Sequence, residues 1–230
     1  LTIETLDGLI KHNGPVHDLT RQNLILKKNS FKKKIKFNLF PSLESQIASI
    51  SDDIAYNNHD LEDGLRANLF SIEKFSSIPT ISKIIKKHFR NIKKFRREVI
   101  INQIVRELIN VMVLDVIDTT NKNLKKYNPK KIEDIYKQKC LIVDFSKKMK
   151  RIDKEIKFFL AYNMYNHKDV ISNTNKGKKI IEILFNHLSK KAIKYISKEV
   201  LNKDTKERAI ADFIAGMTDR YAINLYKKLK

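Results

Sequence analysis

The chain has 230 residues, 42% of them hydrophobic, which is enough apolar material for one sizeable core or two small ones. A single cysteine excludes an intramolecular disulfide and fits a reducing cytoplasm. The net charge of +21 raises nucleic-acid binding as a function class, but Lys, Asn and Ile are abundant throughout while Arg is sparse, so the excess has a compositional origin as well.

Five glycines and four prolines leave long uninterrupted stretches of helical period, and the fold class read from them is all-α. Thr2 to Lys11 reads as a short helix stopped by Asn13-Gly14-Pro15. A lysine-rich connector follows, as far as Phe40. Ser42, after Pro41, is a natural N-cap with Glu44 in the first turn, and the helix it opens continues towards Phe70, with Asn57 to Asp60 marking a pause or end. Ile81 to Phe95 is helical in pattern.

Arg97 to Thr119 carries apolar residues from Val99 to Ile117 on a surface too broad for one stripe, which makes it the central helix. Its Arg106, Glu107, Asn110 and Asp115 interrupt the apolar run well short of the roughly 18 residues of a membrane span. Asn121 to Asn128, before Pro129, is the best internal boundary, dividing residues 1–122 from 129–230. Beyond it Lys139 to Phe145 reads as a short extended segment, with Cys140 packed in a core. Met149 to Tyr165, Lys178 to Leu188, Ala192 to Leu201 and Thr205 to Tyr226 have helical spacing. Thr218 is a candidate cap for the last helix, Gly216 a point of close helix approach, and Phe213, Ile214 and Met217 core.

Chemistry concentrates in the segment from Pro41 to Ala67. Leu43, Ile47, Ile50 and Ile54 form an apolar stripe on a helical wheel. On the other side Asp52, Tyr56 and Asp60 follow at i, i+4 and i+8, so they stack along one face among the small residues Ser45, Ala48, Ser49 and Ala55. Small neighbours leave room for a ligand or a second helix. Spacing alone also fits a solvated acidic face made by Asp52, Asp53, Asp60, Glu62 and Asp63.

The stretch SLESQIASISDDIAYNNHDLEDGLRA resembles the segment that follows the paired His-Asp motif in bacterial deoxynucleoside triphosphate triphosphohydrolases, the dGTPase-like proteins of the HD phosphohydrolase superfamily. LTIETLDGLIKHNGP, at residues 1–15, resembles that family's segment just upstream, and ADFIAGMTDRYAINLYKKL, at 211–229, its C-terminal signature. Three collinear blocks span nearly the whole chain, with residues 70–204 matching mainly in pattern. The resemblance implies the C-terminal part of an HD phosphohydrolase core at 1–122 and a phosphohydrolase-associated helical domain at 129–230. It implies metal-dependent cleavage of a deoxynucleoside triphosphate to deoxynucleoside and triphosphate, with a divalent ion (Mn, Mg, Fe or Zn) held by a His, a His-Asp pair and a distant Asp.

Asp52 matches that last ligand, and Tyr56 and Asp60 match positions against the bound nucleotide. Lys11 is a weaker match to a triphosphate contact, and Tyr221 is placed near the site on the same basis. The other metal ligands of the family pattern would precede Leu1, and the chain starts on leucine inside a family block, so a fragment or processed product is expected, inactive alone. His17-Asp18 and His59-Asp60 do not replace them: the first follows a turn, and the second stands where the pattern has no metal role.

The Phe95, Arg96, Arg97 and Arg106 region is a further candidate for triphosphate contacts. A rival reading takes the clusters at Lys27-Lys28, Lys32 to Lys36 and Lys86 to Arg97, interleaved with Phe31, Phe37, Phe89 and Phe95, as a weak nucleic-acid surface. Another takes the chain as a noncatalytic oligomerisation or regulatory module, since family members commonly form rings. No membrane partner is expected.

Overall fold

The computed structural model describes residues 2–18, 20, 22–23, 35–89, 94–203 and 205–229. The basic residues at 27–28, 32–34, 90 and 93, with Phe31, lie outside them, as does the resemblance's first residue, Leu1. Among the described residues all regular structure is helical, in agreement with the all-α expectation. The chain forms two compact units, Leu1–Met164 and Tyr165–Lys230.

In the first unit α1 spans Ile3–Ile10, opened by the Thr2 hydroxyl accepting from the Thr5 N–H. Gly14, at φ +96°, supplies the left-handed turn that follows it. Helix α2, Leu43–Arg66, is capped by Ser42 as the sequence predicts. It does not pause at Asn57 to Asp60. Asn57 and Asn58 are both buried in the middle of an unbroken helix, where the Asn58 amide donates to the Ile54 carbonyl at 2.7 Å and approaches Met112 Sδ at 3.5 Å. The apolar stripe is also displaced: Ile54 is buried, Leu43 and Ile50 are half-buried, and Ile47 is 50% exposed. The buried stripe instead runs through Ile54, Asn58, Leu61 and Leu65, where α2 meets the core.

Helices α3 (Ile72–Phe75) and α4 (Pro79–His88) turn the chain towards α5, Arg97–Tyr127. Ile100, Ile101, Ile104, Val105, Leu108 and Met112 of α5 pack against α2, whereas Val113, Leu114 and Ile117 are exposed. Only the first half of the broad apolar surface is therefore core. The helix ends at Asn128, φ +42°, before Pro129, so residues 121–128 do mark a helix terminus, but the compact unit continues to Met164.

After α6, Ile132–Tyr136, residues 139–145 are not an extended strand but a chain of bends. The buried Gln46 side chain dictates this: its Oε1 accepts from the N–H groups of Ile142 and Val143 at 2.9 and 3.0 Å. Cys140 is exposed there, beside the Tyr127 hydroxyl, and not packed in the core. Helix α7, Lys147–Leu160, starts at Ser146, itself held by the Asp115 carboxylate. A π-helical turn, Ala161–Tyr165, follows. Phe159 closes an aromatic cluster with Phe70 and Phe75, and Gly64 lets the Phe70 ring approach α2 so closely that a Cβ would stand 2.3 Å from it.

In the second unit α8 spans Lys168–Lys191, followed by a 3-10 turn at Ala192–Lys194, α9 (Lys198–Leu201), α10 (Lys206–Ala215) and α11 (Asp219–Leu229). Leu188, Ala192, Ile196 and Ile210 form its core, with Phe213, Ile214 and Met217 packed at the edge. The helical pattern of Thr205 to Tyr226 divides at Gly216, after which Thr218 caps α11 by accepting from the Tyr221 N–H. Gly216 has an ordinary φ of −80°, and a Cβ there would meet only the carbonyls of Asp212 and Phe213 in the preceding helix, at 3.5 and 3.6 Å, so it serves as a helix C-cap and not as a point of helix approach.

Candidate functional site

Helices α1 and α2 form the candidate site. The small residues on α2 admit a second helix: Gly8 lies against Ser45, whose hydroxyl donates to the Gly8 carbonyl at 3.2 Å, and Ser49 donates to the His12 carbonyl at 2.7 Å. Between the two helices remains a cleft of about 780 Å³, walled by Leu9, His12 and Ala48 and, further along α2, Asp52 and Asp53.

Asp52 stands exposed on that wall with no ion pair or hydrogen bond to its carboxylate among the described residues. Tyr56 is 58% exposed one turn on, and Asp60 is half-buried on the turn after. The helix thus brings the three together on one continuous face, as their spacing predicts. An open carboxylate is a suitable hard oxygen donor for a divalent cation. It does not make a site alone: among the described residues no group of three His, Cys, Asp or Glu side chains could hold a metal. Outside the described residues the chain has only Asp204 of those types. Of the two His-Asp pairs, His59 is exposed beside Glu62, and Asp18 caps the Thr20 N–H next to an exposed His17.

Residues 143–228 match the phosphohydrolase-associated domain. Over 227 residues, 99% of the chain, the sequence is 50% identical to a deoxyguanosinetriphosphate triphosphohydrolase-like protein of Pelagibacter ubique, covering 61% of that protein. Proteins of the same description from Bartonella quintana and Bartonella tribocorum are 39% and 37% identical over the whole chain, which covers 60% of each. The chain is similar over nearly its whole length to deoxyguanosinetriphosphate triphosphohydrolase-like proteins. It spans about 60% of the length of the curated relatives it matches.

Of the residues assigned by family resemblance, Lys11 is not placed as an open substrate contact would be. Lys11 is 2% exposed, so it is neither a solvated lysine nor open to a triphosphate. Its ammonium pairs with Asp7 at 2.6 Å and lies 6.0 Å from the Tyr136 ring centre. Burial and the nearby acids Asp7 and Glu4 raise the pKa of the Tyr136 phenol above the ordinary tyrosine value. Tyr221 belongs to α11 of the second unit, where it is half exposed. Of the basic candidates near α5, Arg97 is occupied in donating to the Leu65 carbonyl at 2.6 Å, at the C-terminal end of α2.

Sequence reasoning missed two features around the cleft. His12 lines the cleft, its Nδ1 2.8 Å from the Leu9 carbonyl oxygen. Lys157 on α7 reaches Asp53 and Asp153, and Asp153 in turn accepts from Asn57 at 3.0 Å. The first is signalled only by its place in the LIKHNGP block. The second joins residues about a hundred positions apart and leaves no local trace.

Proposed function

We propose that this chain supplies the Asp52 face of a metal-dependent deoxynucleoside triphosphate triphosphohydrolase. The observation that carries the reading is the open Asp52 carboxylate on the cleft wall, followed at one-turn intervals by Tyr56 and Asp60. In the reaction, a water oxygen bonds to the α-phosphorus, the bond from that phosphorus to the sugar 5′ oxygen breaks, and the 5′ oxygen leaves with a proton. Deoxynucleoside and intact triphosphate result. A bound divalent ion supplies Lewis-acid polarisation of a phosphoryl oxygen and a lowered pKa for water.

The chain's own residues bind and orient. Asp52 gives one hard oxygen ligand, with Mn, Fe, Zn and Mg all compatible with a mixed imidazole and carboxylate set. The Tyr56 ring packs against the sugar edge and leaves no space for a 2′-hydroxyl. Asp60 accepts from the 3′-hydroxyl, a role suited to a group with acceptors only. The test is to express the protein from its complete reading frame and assay metal-dependent release of triphosphate from dGTP and the other deoxynucleotides. Inorganic phosphate or pyrophosphate as the product, or no product, would reject the reading.

A second observation favours a noncatalytic assembly module instead. Ile47, Val113 and Ile117 are exposed around an apolar hollow of about 270 Å³ that also includes Ile50 and Val116. Self-association that depends on concentration, without hydrolysis of any nucleotide, would support that alternative. A homo-oligomer is compatible with both readings. No helix among the described residues is long and apolar enough to cross a membrane.

A further inference from the structure

The cleft beside Asp52 poses an electrostatic problem for a polyanionic substrate. Among the described residues its wall carries four carboxylates, Glu4, Glu44, Asp52 and Asp53, and no lysine or arginine. A cation on Asp52 would offset that one, but Asp53 follows immediately in sequence and borders the same cleft. Its countercharge comes from another helix. Lys157 Nζ of α7 lies 3.5 Å from Asp53 Oδ2 and 3.0 Å from Asp153 Oδ2, while Asp153 Oδ1 accepts from the buried Asn57 amide at 3.0 Å. One ammonium therefore serves two acids, and the second of them is anchored to α2 one turn beyond Asp53. Partial burial of Lys157 lowers its pKa, but the bonds and charges of Asp153 and Asp53 outweigh that, and the amine titrates above the ordinary lysine value.

We propose that Lys157 is a positioning residue for nucleotide binding: by pairing with Asp53 it offsets part of the negative charge next to Asp52 and eases the approach of a triphosphate to the cleft. The proposal rests on the triphosphohydrolase reading above. It differs from a packing role in that its effect passes through the charge of Asp53.

The experiment uses the protein expressed from its complete reading frame, with dGTP as substrate and triphosphate release as the readout. Lys157→Met raises KM about three- to tenfold, the scale of one uncompensated charge facing a polyanion through solvent, with kcat within about twofold. The increase shrinks as ionic strength rises. Lys157→Arg keeps the wild-type KM, and adding Asp53→Asn to Lys157→Met restores it. Lys157→Gln, neutral but still able to bond Asp153, reproduces the KM defect and serves if the Met variant melts below assay temperature. Active wild-type protein with an unchanged KM in Lys157→Gln, or a defect that Asp53→Asn does not relieve, overturns the inference alone. Wild-type protein that releases no triphosphate overturns the functional reading and this inference with it.

Discussion

Replacing Asp52 with Asn keeps its size and removes its charge, so it separates binding from folding. Because the side chain is exposed and makes no bond among the described residues, the melting free energy should stay within about 0.5 kcal/mol of wild type. Metal-dependent triphosphate release by the complete protein should fall at least about 100-fold, a scale that even outer-shell partners of metal ligands reach. Lys11→Met is expected to behave in the opposite way. It leaves Asp7 half-buried without its cation, at a cost of about 3 kcal/mol measurable by denaturant unfolding. A raised KM with unchanged stability would instead return Lys11 to the substrate site. The contrast shows what single residues disclose: the Asp52, Tyr56 and Asp60 face was legible because a helix fixes azimuth from spacing alone. The burial of Lys11 was not, because Tyr136 lies 125 positions further along the chain and the general rule for lysines is exposure.

At the scale of elements, two helix starts were legible from a single residue, since Ser42 and Thr218 each cap through a bond to a residue three positions on, whereas α8 begins at Lys168, ten residues before the expected Lys178. The bends at 139–145 were illegible because their shape comes from Gln46, almost a hundred residues upstream. Gln46→Ala should cost about 3 kcal/mol, since it strands two buried N–H groups and frees the Pro41 carbonyl as well. Loss of hydrogen-exchange protection confined to Ile142 and Val143 would be its signature. Gly64→Ala tests the closest approach in the first unit. In an open helix this change gains up to about 1 kcal/mol, but here the Cβ would meet Phe70 Cε1 at 2.3 Å and Cζ at 2.7 Å. A net loss of about 1–3 kcal/mol in thermal or denaturant unfolding is expected, and a gain would show that the ring can retreat from its contacts with Phe75 and Phe159.

For the molecule as a whole, composition and periodicity gave the helical class, but the place where the chain divides was harder to read. Asn128 and Pro129 are strong local punctuation and do stop α5. Compactness depends on which helices share a core, and Phe145, Met149, Ile156, Phe159 and Leu160 join the first core from beyond that stop. With Asp52 as the one proposed ligand and no metal-binding group of three among the described residues, the 230-residue chain by itself is expected to release no triphosphate from any deoxynucleotide in the presence of Mn or Mg. A colorimetric assay after pyrophosphatase-free purification would check it, and turnover would mean that the described residues are not the whole of the ion's environment.

Because Asn57, Asn58 and Leu61 are locked into their surroundings, α2 has a fixed rotational phase as well as a fixed place. Its upstream half carries the acids that border the cleft, Asp52 and Asp53, and its downstream half sets their bearing. Loss of a single residue such as Ala55 would turn everything before it by about 100°, giving Asp52 the azimuth of Asp53 and pointing it at Lys157, while Ser51 took its place on the cleft wall. Between Asp52 and Asn57 a change of length thus displaces every acid upstream of it, where an exchange alters one side chain alone.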